Sequence, residues 1–234
     1  MKKKIYNLII LDESGSMQSI RPQAINGMNE TLQTIKSAQE KYESQSHYVT
    51  LVSFNTNRVK TIYDCCPAHR IQEISNNDYH PSACTPLYDA MGISLTKLKA
   101  EVKDEDHVLV TIITDGYENA SKEYSGKAIM QLVDELKTKG WIFAYIGANQ
   151  DVEKVAVSMG IRNSLCFEAH EEDARRMFRK ERESRDALYC CIDEGIDAKQ
   201  LSEREYFGNT NKVKTEDTLV EKKEEKKKKK WWRF

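Results

Sequence analysis

Leu11-Asp12-Glu13-Ser14-Gly15-Ser16-Met17, directly after the apolar run 5–11, decides how this chain is read. The run has the continuous apolar character of a strand buried on both faces. It stops where one carboxylate and two hydroxyls alternate as Asp-x-Ser-x-Ser. That order puts Asp12, Ser14 and Ser16 on a short loop ahead of a helix. Oxygen-only donor sets of this kind suit a hard cation such as Mg²⁺ or Mn²⁺. Two later segments offer matching oxygens. Thr85 opens Thr85-Pro86-Leu87-Tyr88-Asp89-Ala90, and Asp115 follows the strand-like stretch 108–114.

Outward from that loop, strands and helices alternate. Ile25, Met28, Leu32 and Ile35 recur at helical spacing, which predicts an amphipathic helix over 21–42 with Pro22 tolerated in its first turn. Segments 47–54 and 58–65 flank Asn55-Thr56-Asn57 and read as a hairpin. Leu87, Met91, Leu95 and Leu98 mark a second helix, and Ile129, Leu132, Val133 and Leu136 a third, ended by Gly140. Strands follow at 141–146 and 163–167, around a helix at 152–159 capped by Asp151. A charged helix runs from Glu171 to about Ile192, with Met177, Phe178, Leu188 and Cys191 as its apolar stripe. Its pairs Glu171–Arg175, Glu172–Arg176 and Glu181–Arg185 are spaced i, i+4 and predict a solvated face.

The pattern predicts an α/β fold, a doubly wound and mostly parallel sheet with one antiparallel edge strand and helices on both faces. Ligands bind such sheets at the carboxyl ends of strands where the strand order reverses. If strands 5–11 and 108–114 are neighbours, Asp12 and Asp115 meet there, with Gly147-Ala148-Asn149 at the same rim. The expected domain spans 1–195, followed by a linker and a disordered basic-aromatic tail over 196–234.

Composition narrows the classes. Residues 221–234 hold eight Lys or Arg against three Glu, a net +5 in a chain of net −1, so the rest carries −6. An acidic body is not expected to bind nucleic acid. No apolar stretch is long enough to span a membrane, and Met1-Lys2-Lys3-Lys4 with the run 5–11 lacks a cleavage site. Six cysteines without a Cys-x-x-Cys read as reduced thiols of a cytoplasmic protein. Cys65-Cys66-Pro67-Ala68-His69 has the look of a zinc half-site, and no second half follows at zinc spacing.

Each site segment alone has an ordinary explanation: Asp12 as a cap, Ser14 and Ser16 as turn residues, Thr85-Pro86 as a helix start, Asp115-Gly116 as a turn. Glu13 and Glu118 read as solvated acids, and His80 as a loop histidine facing solvent. The occurrence of all five residues in order carries the inference. Asp12, Ser14 and Ser16, then Thr85, then Asp115 resemble the metal-ion-dependent adhesion site of the von Willebrand factor A domain family. Thr114-Asp115-Gly116-Tyr117-Glu118-Asn119 is similar to its bacterial members. The resemblance covers about residues 1–195. It departs at Ala83 and Cys84, where bacterial members often carry glycines.

The resemblance implies a bacterial or phage domain in which Ser14 and Ser16 ligate Mg²⁺ directly. Thr85 would join them in the ligand-competent state. Asp12 and Asp115 would act largely through water, and one position would be left for an Asp or Glu of a partner protein. Such a domain has no catalysis of its own. A Mg²⁺-dependent phosphoester hydrolase is the alternative. That chemistry wants a second carboxylate two residues after Asp12, where Ser14 stands, and neither Gly-x-Ser-x-Gly nor a Gly-Lys-Ser/Thr phosphate loop occurs. A further alternative makes the body a scaffold for Lys226-Lys227-Lys228-Lys229-Lys230-Trp231-Trp232-Arg233-Phe234. Its lysines and aromatics suit peripheral contact with an anionic membrane, or stacking on nucleic acid.

Overall fold

The computed structural model describes residues 2–148 and 151–208. Its six-stranded sheet comprises β1 (Lys3–Asp12), β2 (Gln45–Asn55), β3 (Arg58–Pro67), β4 (His107–Thr114), β5 (Ile142–Ala148) and β6 (Asn163–Phe167). The order across the sheet is β3-β2-β1-β4-β5-β6. Only β3 runs antiparallel, as the hairpin predicts. The helices are α1 (Arg21–Lys41), α2 (Leu87–Glu101), α3 (Gly126–Thr138), α4 (Val152–Ser158), α5 (Glu171–Asp193) and α6 (Ala198–Ser202).

Strand alternation sorts the core into two halves. Ile5, Ile9 and Leu11 of β1 pack with Met28 and Ile35 of α1 and Phe178 of α5, while Tyr6, Leu8 and Ile10 pack with Leu95 of α2 and Val133 of α3. Burial on both faces explains why β1 reads as an unbroken apolar run rather than an alternating one. Local signals set the helix ends. Ser125 Oγ accepts the Ala128 N–H at the start of α3, and Asp151 accepts the Lys154 N–H at the start of α4. Gly140 follows α3 with φ +86°, and a Cβ there would lie 2.9 Å from Ala198.

Four expectations need correction. The Glu181–Arg185 pair is wholly buried, with Arg185 bonded across the sheet to Asn7 and Thr111. The i, i+4 pattern shows that two residues can meet, not which way their helix face points. Glu13 is also fully buried, not solvated. Glu118 is half-buried and accepts the Tyr88, Ala120 and Ser121 N–H groups, so it shapes its own loop. The packed body continues past 195. α6 and the segment after it place Leu201, Tyr206 and Phe207 against the α1/α5 half of the core. The basic-aromatic tail, with the disorder and the membrane or nucleic-acid contact expected of it, lies outside the described residues, as does Asn149.

Candidate metal site

Strand register builds the centre of the site. Leu11 of β1 pairs with Ile113 of β4, so the next residues, Asp12 and Thr114, leave the sheet side by side. β2 crosses to one side of β1 and β4 lies on the other, which makes this the point where strand order reverses. Asp12 is locked in place. Its Oδ1 accepts the Ser14 N–H at 2.7 Å, its Oδ2 accepts the Thr114 hydroxyl at 2.6 Å, and its carbonyl accepts the Tyr79 hydroxyl at 2.5 Å.

The expected oxygens gather around it. Ser14 Oγ and Ser16 Oγ are 3.2 Å apart, and Ser16 donates to Asp115 Oδ1 at 2.5 Å. Gly116 forms the floor: a Cβ added there would lie 3.2 Å from Thr85 Oγ1 and 3.5 Å from Ser16 Oγ. Thr85 is held from the β4 side, because its N–H donates to Asn119 Oδ1 at 2.9 Å and its carbonyl accepts the Asn119 N–H at 3.1 Å. All five residues predicted from the sequence therefore meet, from three separate loops. Asp12, Ser14, Thr85 and Asp115 are buried, and Ser16 is exposed, so the cluster opens to solvent on its Ser16 side.

The electrostatics are unbalanced. Two carboxylates are buried close together, and among the described residues no cationic side chain pairs with either. Burial pushes the Asp12 carboxyl up to about 6, against the hydrogen bonds from Thr114 and Ser14, with Asp115 adding to the rise. Burial likewise raises Asp115, against its bond from Ser16. Hydroxyl and carboxylate oxygens with an uncompensated charge fit a hard divalent cation. Among the described residues no group of three or more His, Cys, Asp and Glu side chains is gathered to hold a metal, at Cys65-Cys66-His69 or elsewhere. The donor set here is mainly hydroxyls.

Three contributors escaped the sequence reading. Tyr79 and Asn119 clamp Asp12 and Thr85 from a distance that spacing does not reveal. The third, Thr114, could have been found from its place directly before Asp115 at the end of a strand. His80 faces the loop chemistry only through its backbone: its N–H donates to Glu13, and its ring Nε2 lies 3.0 Å from the Asn77 carbonyl.

The sequence model of the von Willebrand factor type A domain matches residues 8–185. The chain belongs to that family. No curated protein sequence matches it. Among solved structures, the vWF domain of the type V pili tip protein Mfa5 from Porphyromonas gingivalis superposes with a TM-score of 0.53 at 10% identity. That match covers 84% of this chain and 97% of the Mfa5 structure. The pilus adhesin SpaC from Lactobacillus rhamnosus GG gives 0.54 at 13% identity, over 77% of this chain and 30% of SpaC. Proximal thread matrix protein 1 from the mussel byssus gives 0.51 at 15% identity, over 81% of this chain and 47% of that structure. The chain spans less than half the length of the first structures it matches. At these identities the likeness is one of fold. Among the described residues no helix is long and apolar enough to cross a membrane.

Proposed function

We propose that this domain is a cytoplasmic protein-interaction module that holds Mg²⁺ or Mn²⁺ at Asp12, Ser14, Ser16, Thr85 and Asp115, and binds a Glu or Asp side chain of a partner protein there. The observation that carries the reading is the convergence of three loops on one oxygen cluster with two buried carboxylates and, among the described residues, no cationic partner. The bound dication supplies a Lewis-acidic point that a partner carboxylate can reach. The chain's own residues do the rest. Ser14, Ser16 and Thr85 present hydroxyl oxygens, and Asp115 and Asp12 orient them and balance charge from behind. Thr114, Tyr79 and Asn119 hold that arrangement rigid, and the exposed side at Ser16 leaves room for a partner. Nothing in the cluster resembles an activated nucleophile, so the proposal is of binding without catalysis.

The test is capture of a partner by the immobilised full chain in Mg²⁺ and again in EDTA, beside Ser14→Ala and Asp115→Ala variants. The reading expects a protein retained only with Mg²⁺, only by the wild type, and released by excess glutamate or acetate. Equal capture in EDTA, or by both variants, contradicts it.

A further inference from the structure

Glu13 stands between two cluster residues in the chain and turns its side chain the other way. It is fully buried. Its Oε2 accepts the Ser53 hydroxyl at 2.8 Å, and its Oε1 accepts the His80 N–H at 2.5 Å, with Arg58 Nη2 at 3.4 Å. The backbone of Glu13 adds three more links. Its N–H donates to Phe54, and its carbonyl accepts the Ser82 N–H at 2.9 Å and Asn55 Nδ2 at 3.3 Å. Asn55 Nδ2 also lies 3.3 Å from Ser82 Oγ, and Gly15 N–H donates to the Ala83 carbonyl at 3.0 Å. One buried acid and its neighbours thus pin residues 80–83, the stretch that leads into Thr85, to β1 and β2.

Beyond it Cys84 is tied to the hairpin turn, its N–H donating to Thr56 Oγ1 at 2.9 Å and its carbonyl accepting the Thr56 N–H at 3.1 Å. Ser82, Ala83 and Cys84 are exposed, and Ala83 sits at φ +63°, a conformation L-residues rarely keep without outside constraint. On its other side Thr85 is fixed by Asn119. Removing the Glu13 anchor leaves the Cys84–Thr56 bonds to hold the Cys84 side of the residue whose hydroxyl must meet Ser16 over Gly116. A core packing role would not need the His80 N–H, which lies on the approach to Thr85.

We infer that Glu13 is a positioning residue for the cluster: its carboxylate sets the 80–83 segment and, through it, the Thr85 hydroxyl. The inference rests on the cation-binding reading above. Residues that orient metal ligands from behind change metal affinity by about 10–100-fold when removed. The effect of Glu13 should therefore run through Thr85, whereas a purely structural acid would weaken binding whatever stands at position 85.

The experiment is a Mn²⁺ titration of the full chain, read by loss of the free-ion paramagnetic resonance signal, on Glu13→Gln, Thr85→Ala and the double variant. Melting temperature is measured on each. Glu13→Gln is expected to weaken Mn²⁺ binding about tenfold beside Thr85, and less than about twofold beside Thr85→Ala, as coupled residues behave. An equal loss in both backgrounds, or no loss in either, overturns the inference while leaving the cation site standing. If the wild type takes up no Mn²⁺, the cation reading itself fails and the inference falls with it. Ser53→Ala, which removes one Glu13 bond from inside β2, serves if Glu13→Gln does not fold. A loss of about threefold that disappears in Thr85→Ala supports the inference, and unchanged binding overturns it.

Discussion

Asp12 is a carboxylate that the fold makes harder to ionise, and that has a measurable signature. Its folded pKa lies near 6, against 3.8 for a free side chain, chiefly because of burial. Between those values the native state binds a proton that the unfolded chain has shed, so this group's contribution to stability falls as pH rises from about 4 to about 6. His47 works in the opposite sense. Burial first, and Arg185 next, hold it down to about 4. Its Nε2 bonds Gln45 Oε1 at 2.9 Å, and its buried Nδ1 has no partner among the described residues. Protonating it would add a buried donor beside Arg185, so its contribution is complete above about 6.5 and is lost as pH falls towards 4. The two slopes oppose each other in the raw curve. The readout is therefore the difference between wild type and Asp12→Asn in EDTA, by chemical denaturation at several pH values. We expect the wild type to lose stability relative to the variant as pH rises from 4 to 6. A flat difference would show that Asp12 is not held in this way.

At the scale of elements, α5 is fastened to the sheet by polar chemistry. Arg185 donates to Glu181, Asn7, Thr111 and Tyr189, and Tyr206 reaches Glu181 Oε1 at 3.2 Å from the segment after α6. Opposite charge on Glu181 holds Arg185 protonated against the cost of burial. Gly27 of α1 lets the Phe178 ring of α5 come close, since a Cβ there would fall 2.1 Å from it. Removing one member of a buried ion pair leaves the other unpaired, at a cost of about 3–5 kcal/mol. Arg185→Ala should lose about that much in urea denaturation, while Glu181→Leu with Arg185→Met should recover most of it. An Arg185→Ala loss below about 1 kcal/mol would mean that water reaches the pair. None of this was legible in the sequence. Glu181 and Arg185 show the same spacing as Glu171 and Arg175, which do lie on the surface. What separates the pairs is Asn7 and Thr111, two polar residues on buried strands far away in the chain. Met177, Phe178 and Leu188 were legible as the apolar stripe, because apolar burial follows period where polar burial follows partners.

For the whole molecule, the legible part was what repeats along the chain. Unbroken apolar runs at β1 and β4 announced a parallel sheet. The Asn55-Thr56-Asn57 turn announced the one antiparallel edge. The meeting of Asp12 and Asp115 depended on β1 and β4 being neighbours, and the register makes them so. The extent of the body was not legible. Residues 196–208 read as linker, yet Leu201, Tyr206 and Phe207 each fill a place on the α1/α5 side that only the folded sheet creates. The same limit applies at the site. Ser14, Ser16, Thr85 and Asp115 carry their chemistry in their identity, whereas Glu13, Tyr79 and Asn119 act by where they reach.

Thermal melting reads out whether the oxygen cluster holds a divalent cation. Ligand that binds only the native state raises stability by about 2.7 kcal/mol at a hundred times its Kd. Wild type and Asp115→Ala would be melted at neutral pH in EDTA and in excess Mg²⁺ or Mn²⁺. A melting temperature several degrees higher with either cation is expected for the wild type, and no shift for Asp115→Ala. A wild type that melts at the same temperature in EDTA and in both cations would contradict cation binding by the cluster.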